Sequence, residues 1–215
     1  MKVSIYKTKS NRILEFLVLY ILIPVSFVVS YPILLKGILA GAGFVYILYH
    51  LRMSGLLKPI RPTRSQWLLF LKSMAFRFLF IIIITSIFVF YTSKDQLFIV
   101  LLQKPLLWIG ILCIYTVFSA WPQEIIYRTF FYSRYHMLFP NRWILMMSNA
   151  ILFSLAHIFF QNVLVHLLTF IGGFLFFHTY LKTKSTLLVT VEHAVYGSWL
   201  FTVGMGEMLA FPGVN

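Results

Sequence analysis

The chain has 215 residues, of which 60% are hydrophobic and 11% are charged, and its mean hydropathy is +0.89. Soluble domains carry about a quarter charged residues, so this composition excludes an ordinary soluble globule, and its apolar content excludes a disordered chain. The formal net charge is +13, and most of the basic residues lie between apolar runs. In such positions basic residues orient membrane helices and contact anionic lipid headgroups. We therefore expect a lipid bilayer, and no nucleic acid, as partner.

Apolar runs long enough to cross a bilayer occur along the whole chain. They lie at about 13–31, 33–51, 67–91, 105–121, 142–160, 162–180 and 185–204. The first run is too long for a signal peptide, and no small-residue cleavage site follows it, so we expect it to be retained as a span. The sequence therefore predicts an all-α, polytopic integral membrane helical bundle.

The number of spans depends on the segment 122–139, which is apolar but contains several polar residues. A turn at Trp121-Pro122 would make this segment an eighth transmembrane helix, because proline favours the first position of a new helix. Without that turn the segment extends the fourth apolar run, and seven transmembrane helices result. The distribution of basic residues between the two sides of the membrane favours seven.

One internal boundary is visible in the sequence. The segment 52–66 is basic and interrupted by prolines, and it separates the first two apolar runs from the later ones. We predict a transmembrane hairpin with its basic loop over residues 1–66 and a membrane-embedded core over 67–215. The core contains all the unusual polar residues considered below.

Ionisable residues inside apolar segments provide the strongest functional signal. Glu124, His157, Glu192 and His193 all lie in such segments. A charged group at mid-membrane costs about 2.5–3.5 kcal/mol on insertion scales, so these groups usually either form pairs or serve a function. Glu124 and Arg128 are four residues apart, share a helix face and are predicted to form an ion pair.

The predicted turn at Pro140-Asn141 relates two of these residues. Glu124 and His157 stand equally far from that turn along the chain, so a hairpin of regular helices would put them at the same depth. Together with His193 on a third helix they form a candidate acid–base or metal site. Structural explanations also exist: the Glu124 ion pair can serve only to neutralise itself in lipid, and His157 can bond a carbonyl on another helix.

Three motifs, in order, resemble the CPBP family of intramembrane proteases, which includes the CAAX prenyl endopeptidase and the bacterial Abi proteins. The family motifs are Glu-Glu-x-x-x-Arg, Phe-x-x-x-His and His-x-x-x-Asn. In this chain they read Gln123-Glu124-Ile125-Ile126-Tyr127-Arg128, Phe153-Ser154-Leu155-Ala156-His157 and His193-Ala194-Val195-Tyr196-Gly197. The resemblance covers about residues 105–204.

The resemblance implies an intramembrane metalloprotease. Its expected catalytic residues are Glu124, His157, His193, Arg128, Glu192 and Gln123. His157 and His193 are the expected ligands of zinc or another divalent metal, and metal-bound water can have a pKa of about 7. Glu124 or Glu192 would then take the proton of that water. Activation of water by the same glutamate and histidines without a metal is the alternative.

Two positions depart from the family motifs. Gln123 replaces the first glutamate of the family, its presumed water-activating base, and an amide has no basic carboxylate. Gly197 replaces the family asparagine and has no side chain. Glu192, next to His193, is an additional acid that could compensate for the missing glutamate.

Three functions are consistent with these residues. The first is an endopeptidase acting on a membrane protein or a lipidated peptide. The second is a catalytically altered relative that acts as a membrane scaffold or as a bacteriocin-immunity-type binding protein. The third is a transporter or proton pathway, which would favour an internal repeat that the sequence does not show. We expect the protein in the bacterial inner (plasma) membrane.

Overall fold

The computed structural model describes residues 9–56 and 61–209, and no β-strand occurs among them. The all-α prediction is therefore confirmed for the described residues. Part of the predicted basic loop, residues 57–60, lies outside the described residues.

Eight helices follow one another along the described chain. They are α1 (Lys9–Leu17, continued by Val18–Leu22 and Ile23–Ser26), α2 (Ile33–Met53), α3 (Arg64–Thr92), α4 (Ile99–Gln103), α5 (Pro105–Leu138), α6 (Arg142–Leu155), α7 (Val163–Thr183) and α8 (Thr186–Val203). Short 3-10 turns lie at Lys94–Gln96, Ile158–Phe160 and Glu207–Leu209.

Among the described residues, five helices are long and apolar enough to cross a membrane: α2, α3, α5, α7 and α6 extended to Phe160. The runs predicted near 13–31 and 185–204 also form helices, α1 and α8, but neither is among the five. Charged residues such as Glu15 in α1 and Glu192 in α8 lower the hydropathy of these two helices. The total number of membrane spans stays a prediction.

The turn considered at Trp121-Pro122 is not formed, because α5 continues through both residues. A π-helical stretch, Thr116–Ala120, directly precedes the proline-containing piece Trp121–Glu124. Proline lacks an N–H and its ring conflicts with the carbonyl of the preceding turn, and a wider π-helical turn accommodates both without ending the helix. The segment 122–139 therefore begins as an extension of the fourth apolar run, and the turn required for an eighth span is absent.

Polar side chains fix the beginnings of several helices. Thr63 and Gln66 form a reciprocal capping box at the start of α3. Asn141 caps α6 by accepting a hydrogen bond from a backbone N–H of its first turn, and Ser185 caps α8 in the same way. Because α5 ends at Leu138 and α6 begins after Asn141, the predicted turn between them is confirmed.

The chain folds into two compact units, each built from two separate stretches of sequence. The described parts of Met1–Leu57 and Phe130–Phe174 form the first unit, and those of Lys58–Thr129 and Leu175–Asn215 form the second. The predicted division of the chain after residue 66 stays a prediction.

A partly buried carboxylate, that of Glu15, connects the helices of the first unit. Glu15 of α1 accepts two hydrogen bonds from Arg134, each of 2.8 Å, one of 2.7 Å from Tyr135 and one of 2.8 Å from Tyr46. Burial raises the pKa of Glu15, but these hydrogen bonds lower it more, from 4.5 to about 2. The cluster ties α1 to α2 and α5, and its members are too far apart in sequence for any local pattern to predict it.

Candidate functional site

The candidate site lies in the second unit, where α5 and α8 bring Glu124 and His193 together. Nδ1 of His193 is 2.8 Å from Oε1 of Glu124, and the two side chains are 8% and 0% exposed. A carboxylate accepts hydrogen bonds, so Nδ1 of the imidazole carries the proton and donates it. In the neutral ring Nε2 is therefore the basic nitrogen.

Arg128 engages the second oxygen of the same carboxylate. Its Nε lies 3.0 Å from Oε2 of Glu124, and both side chains are fully buried. The ion pair predicted from the four-residue spacing is thus confirmed, although α5 is π-helical over Ile125–Phe130. The Arg128 guanidinium also lies 5.8 Å from the centre of the Phe176 ring. Because both oxygens of Glu124 are engaged, its carboxylate can hold the His193 imidazole in one orientation.

Aromatic rings enclose the His193 imidazole. Phe176 of α7 stacks on it with ring centres 4.5 Å apart and an interplanar angle of 25°. Tyr115 of α5 meets it edge-on, with ring centres 5.9 Å apart. Apolar walls of this kind strengthen the electrostatic interactions inside a site.

Gly197 follows His193 by one helical turn, and Tyr115 packs directly against its backbone. A Cβ atom added to Gly197 would lie 1.9 Å from the Tyr115 hydroxyl oxygen and 2.3 Å from Cζ. Any side chain at position 197, including the asparagine of the family motif, would require Tyr115 to move. Tyr115 was not predicted as a site residue, because a tyrosine in an apolar run carries no signal of its own.

Glu192 belongs to a separate network in the same unit. Its Oε1 lies 2.9 Å from Nη2 of Arg77 and accepts a 2.9 Å hydrogen bond from the Tyr196 hydroxyl. The Arg77 guanidinium also donates to Thr179. These contacts favour a structural role for Glu192 over the compensating acid that the sequence suggested. The sequence offered no acidic partner for Arg77, since Glu192 and Thr179 are more than one hundred positions away.

Gln123 faces a different neighbour. Its Nε2 donates a 3.0 Å hydrogen bond to the Ser119 hydroxyl, and its Oε1 is buried without a hydrogen-bond partner. The side chain therefore offers a buried acceptor and no base.

His157 lies in the first unit, just after α6 ends at Leu155. Its Nδ1 is 2.8 Å from the carbonyl oxygen of Phe153, four residues earlier, and the two rings are 5.0 Å apart. Equal depth of Glu124 and His157 requires regular helices, and α5 is instead π-helical over Ile125–Phe130. The meeting of His157 with the other site residues stays a prediction.

The two candidate histidines, His157 and His193, meet only some of the requirements of a zinc site. In both His157 and His193 the Nδ1 atom faces an oxygen acceptor, which is how zinc-ligating histidines are usually oriented. However, catalytic zinc sites usually have three protein ligands. Within the described part of the chain no group of three or more His, Cys, Asp and Glu could hold a metal ion. These residues therefore do not make up a complete zinc site by themselves, and binding by His157 and His193 stays a prediction.

Residues 105–199 match the sequence model of a family described as type II CAAX prenyl endopeptidase Rce1-like. The CPBP resemblance is confirmed over this segment. The Rce1-like segment contains all three motifs, and its relatives are generally proteases. This family match and the five apolar helices of membrane-spanning length among the described residues together indicate an integral membrane protein. No curated protein and no solved structure matches the chain significantly.

Proposed function

We propose that this chain is an intramembrane endopeptidase of the CAAX-protease type, in which His193, positioned by Glu124, activates water. The 2.8 Å hydrogen bond between these two buried side chains, inside the Rce1-like segment, carries the proposal. The substrate is a peptide bond of a membrane-associated or lipidated protein, and the enzyme resides in the bacterial inner membrane.

The hydrogen bond to Glu124 supports separate roles for the two imidazole nitrogens. Nε2 of His193 takes a proton from water as the water oxygen attacks the scissile carbonyl carbon, and a tetrahedral intermediate forms. Nε2 then gives that proton to the leaving amine nitrogen as the C–N bond breaks. Glu124 stabilises the imidazolium between these two steps. Arg128 fixes the Glu124 carboxylate in place.

An apolar groove in the same unit supports a membrane-associated substrate. Its volume is about 640 Å³, and it lies in the second unit among α3, α5 and α8. Phe78, Trp108 and Trp199 line it, together with Ala194 and Thr116. Ala194 of this lining directly follows His193 in the chain, and in this proposal the groove receives the apolar or lipid part of the substrate.

The proposal is tested with the purified full chain in liposomes and a fluorescent, farnesylated CAAX-type peptide. We expect cleavage by the wild type and a loss of about 10²–10⁴-fold in kcat for His193→Gln, the usual contribution of a general base. His136→Gln is the control, since His136 bonds a backbone carbonyl near the end of α5, and its activity should stay within about twofold of wild type. Equal activity in His193→Gln and wild type would remove His193 from the mechanism.

A second candidate function is a catalytically altered relative that binds another membrane protein. The observation that favours it is Gln123, which places an amide where the family has its first glutamate. In that case the wild type does not cleave the peptide, and Gln123→Glu restores cleavage by supplying a carboxylate at the start of the motif. Cleavage by the wild type would reject this candidate.

A further inference from the structure

We propose that Tyr115 is the hydrogen-bond donor of this site, occupying the space that a side chain at position 197 would otherwise fill. The proposal deepens the proposed function and rests on it. In this role the Tyr115 hydroxyl donates to the carbonyl oxygen of the scissile peptide bond as negative charge develops there.

The position of the hydroxyl follows from its contact with α8. The Cβ atom of any other residue at 197 would lie 1.9 Å from the Tyr115 hydroxyl oxygen, so the hydroxyl group occupies the space of that side chain. Residues 193 and 197 are four apart on one helix and share a face. The Tyr115 ring also meets the His193 imidazole edge-on, with centres 5.9 Å apart. The phenol is therefore held between the backbone at Gly197 and the proposed base.

The chemistry of the neighbouring groups singles out the phenol. A tetrahedral intermediate carries an oxyanion, and a preorganised donor for that oxygen is often the largest single contribution to catalysis. Glu124 can only accept hydrogen bonds, and the Arg128 guanidinium is held in the ion pair with it. Gln123 donates to Ser119. Tyr115 contributes a neutral O–H that keeps its proton throughout the reaction, so no bond to it forms or breaks.

The same contact explains the glycine at the end of the third motif. Gly197 and Tyr115 are coupled, because the ring occupies the volume of the side chain that the glycine lacks. An asparagine at 197 would offer an amide donor from α8, and the tyrosine offers a hydroxyl donor from α5. The two arrangements exclude each other sterically.

The first test compares Tyr115→Phe with wild type in the liposome assay with the farnesylated peptide. Phenylalanine keeps the ring in place, so we expect kcat to fall about 10²–10³-fold, as for the loss of one oxyanion donor, while KM changes less than about threefold. Tyr180→Phe is the matched control, because Tyr180 is a buried tyrosine of α7 at 6% exposure, against 9% for Tyr115. An unchanged kcat in Tyr115→Phe, with an active wild type, overturns the proposal and leaves the proposed function intact.

The second test exchanges the donor between helices. Tyr115→Ala removes the ring, and the double variant Tyr115→Ala/Gly197→Asn then has room for an amide donor. We expect the double variant to exceed Tyr115→Ala in kcat by at least about tenfold, which a purely packing role for Tyr115 would not produce. No recovery in a folded double variant argues against a donor role. An inactive wild type is a different outcome, because it overturns the proposed function and this inference together.

Discussion

Glu124 and His193 are 69 residues apart in the chain, yet Oε1 of the one lies 2.8 Å from Nδ1 of the other. Arg128 engages the second carboxylate oxygen at 3.0 Å, and all three side chains are at most 8% exposed. A buried charge that loses its partner lowers the stability of the folded protein. The contributions of Glu124, Arg128 and His193 to the free energy of unfolding should therefore depend on one another.

The first prediction concerns the ion pair in that trio. Arg128→Met should lower the free energy of unfolding by about 3–5 kcal/mol, because it leaves the buried Glu124 carboxylate without its cation. The double variant Glu124→Gln/Arg128→Met should recover a large part of the loss. Thermal unfolding in detergent measures both, with Arg142→Met at the exposed start of α6 as control. A single variant as stable as the control would show that the pair contributes little.

The second prediction concerns the network around Glu192. Arg77→Met and Glu192→Gln should each destabilise the protein, and their effects should not add, because either change removes the same 2.9 Å ion pair. A double-mutant cycle should give a coupling of about 0.5–3 kcal/mol, typical of residues in contact. Additive effects would mean that the two side chains do not interact in the membrane.

The third prediction tests the contact between Tyr115 and Gly197 without any activity measurement. Gly197→Ala should destabilise the protein by about 1–3 kcal/mol, because the new methyl group overlaps the Tyr115 hydroxyl. Adding Tyr115→Ala should relieve this clash, so the alanine at 197 should cost less in that background. Gly37→Ala is the control, since a Cβ there meets nothing within 4 Å. A neutral Gly197→Ala would contradict the observed packing.

The fourth prediction follows from the pKa of Glu15, which is lowered to about 2 in the folded protein. A carboxyl group with a lowered pKa stabilises the folded protein at pH values above its ordinary pKa of 4.5. This stabilisation is lost as the pH falls toward about 2. The wild type should therefore lose more thermal stability than Glu15→Gln over this acidic range. Asp95→Asn, at an exposed residue, should follow the wild type. Parallel pH profiles for wild type and Glu15→Gln would exclude the cluster as the cause.

The fifth prediction concerns metal. If His157 and His193 bind zinc, the purified protein should carry about one zinc ion per chain, measured by elemental analysis after dialysis. The double variant His157→Gln/His193→Gln should lose it, because imidazole nitrogen is a favoured zinc ligand. His136→Gln should retain it. Zinc content that is the same in the double variant and the wild type would contradict the two-histidine prediction.

Local spacing predicted the local parts of the site. The Glu124–Arg128 pair spans four residues, and a helical turn brings such residues together whatever the rest of the chain does. Sequence pattern left two alternatives open at Pro122, because it does not report the π-helical turn that lets α5 pass through a proline.

The sequence by itself determined that this protein is helical and apolar enough for a membrane, and which ionisable residues are unusual in that setting. Composition and short-range periodicity are properties of the chain alone, so they could be read directly. Only the tertiary structure decided that Glu124 holds His193, that Glu192 pairs with Arg77 and that Tyr115 fills the space above Gly197. These contacts join distant helices, and the packing angle and rotation of each helix, which no local pattern encodes, select the partners.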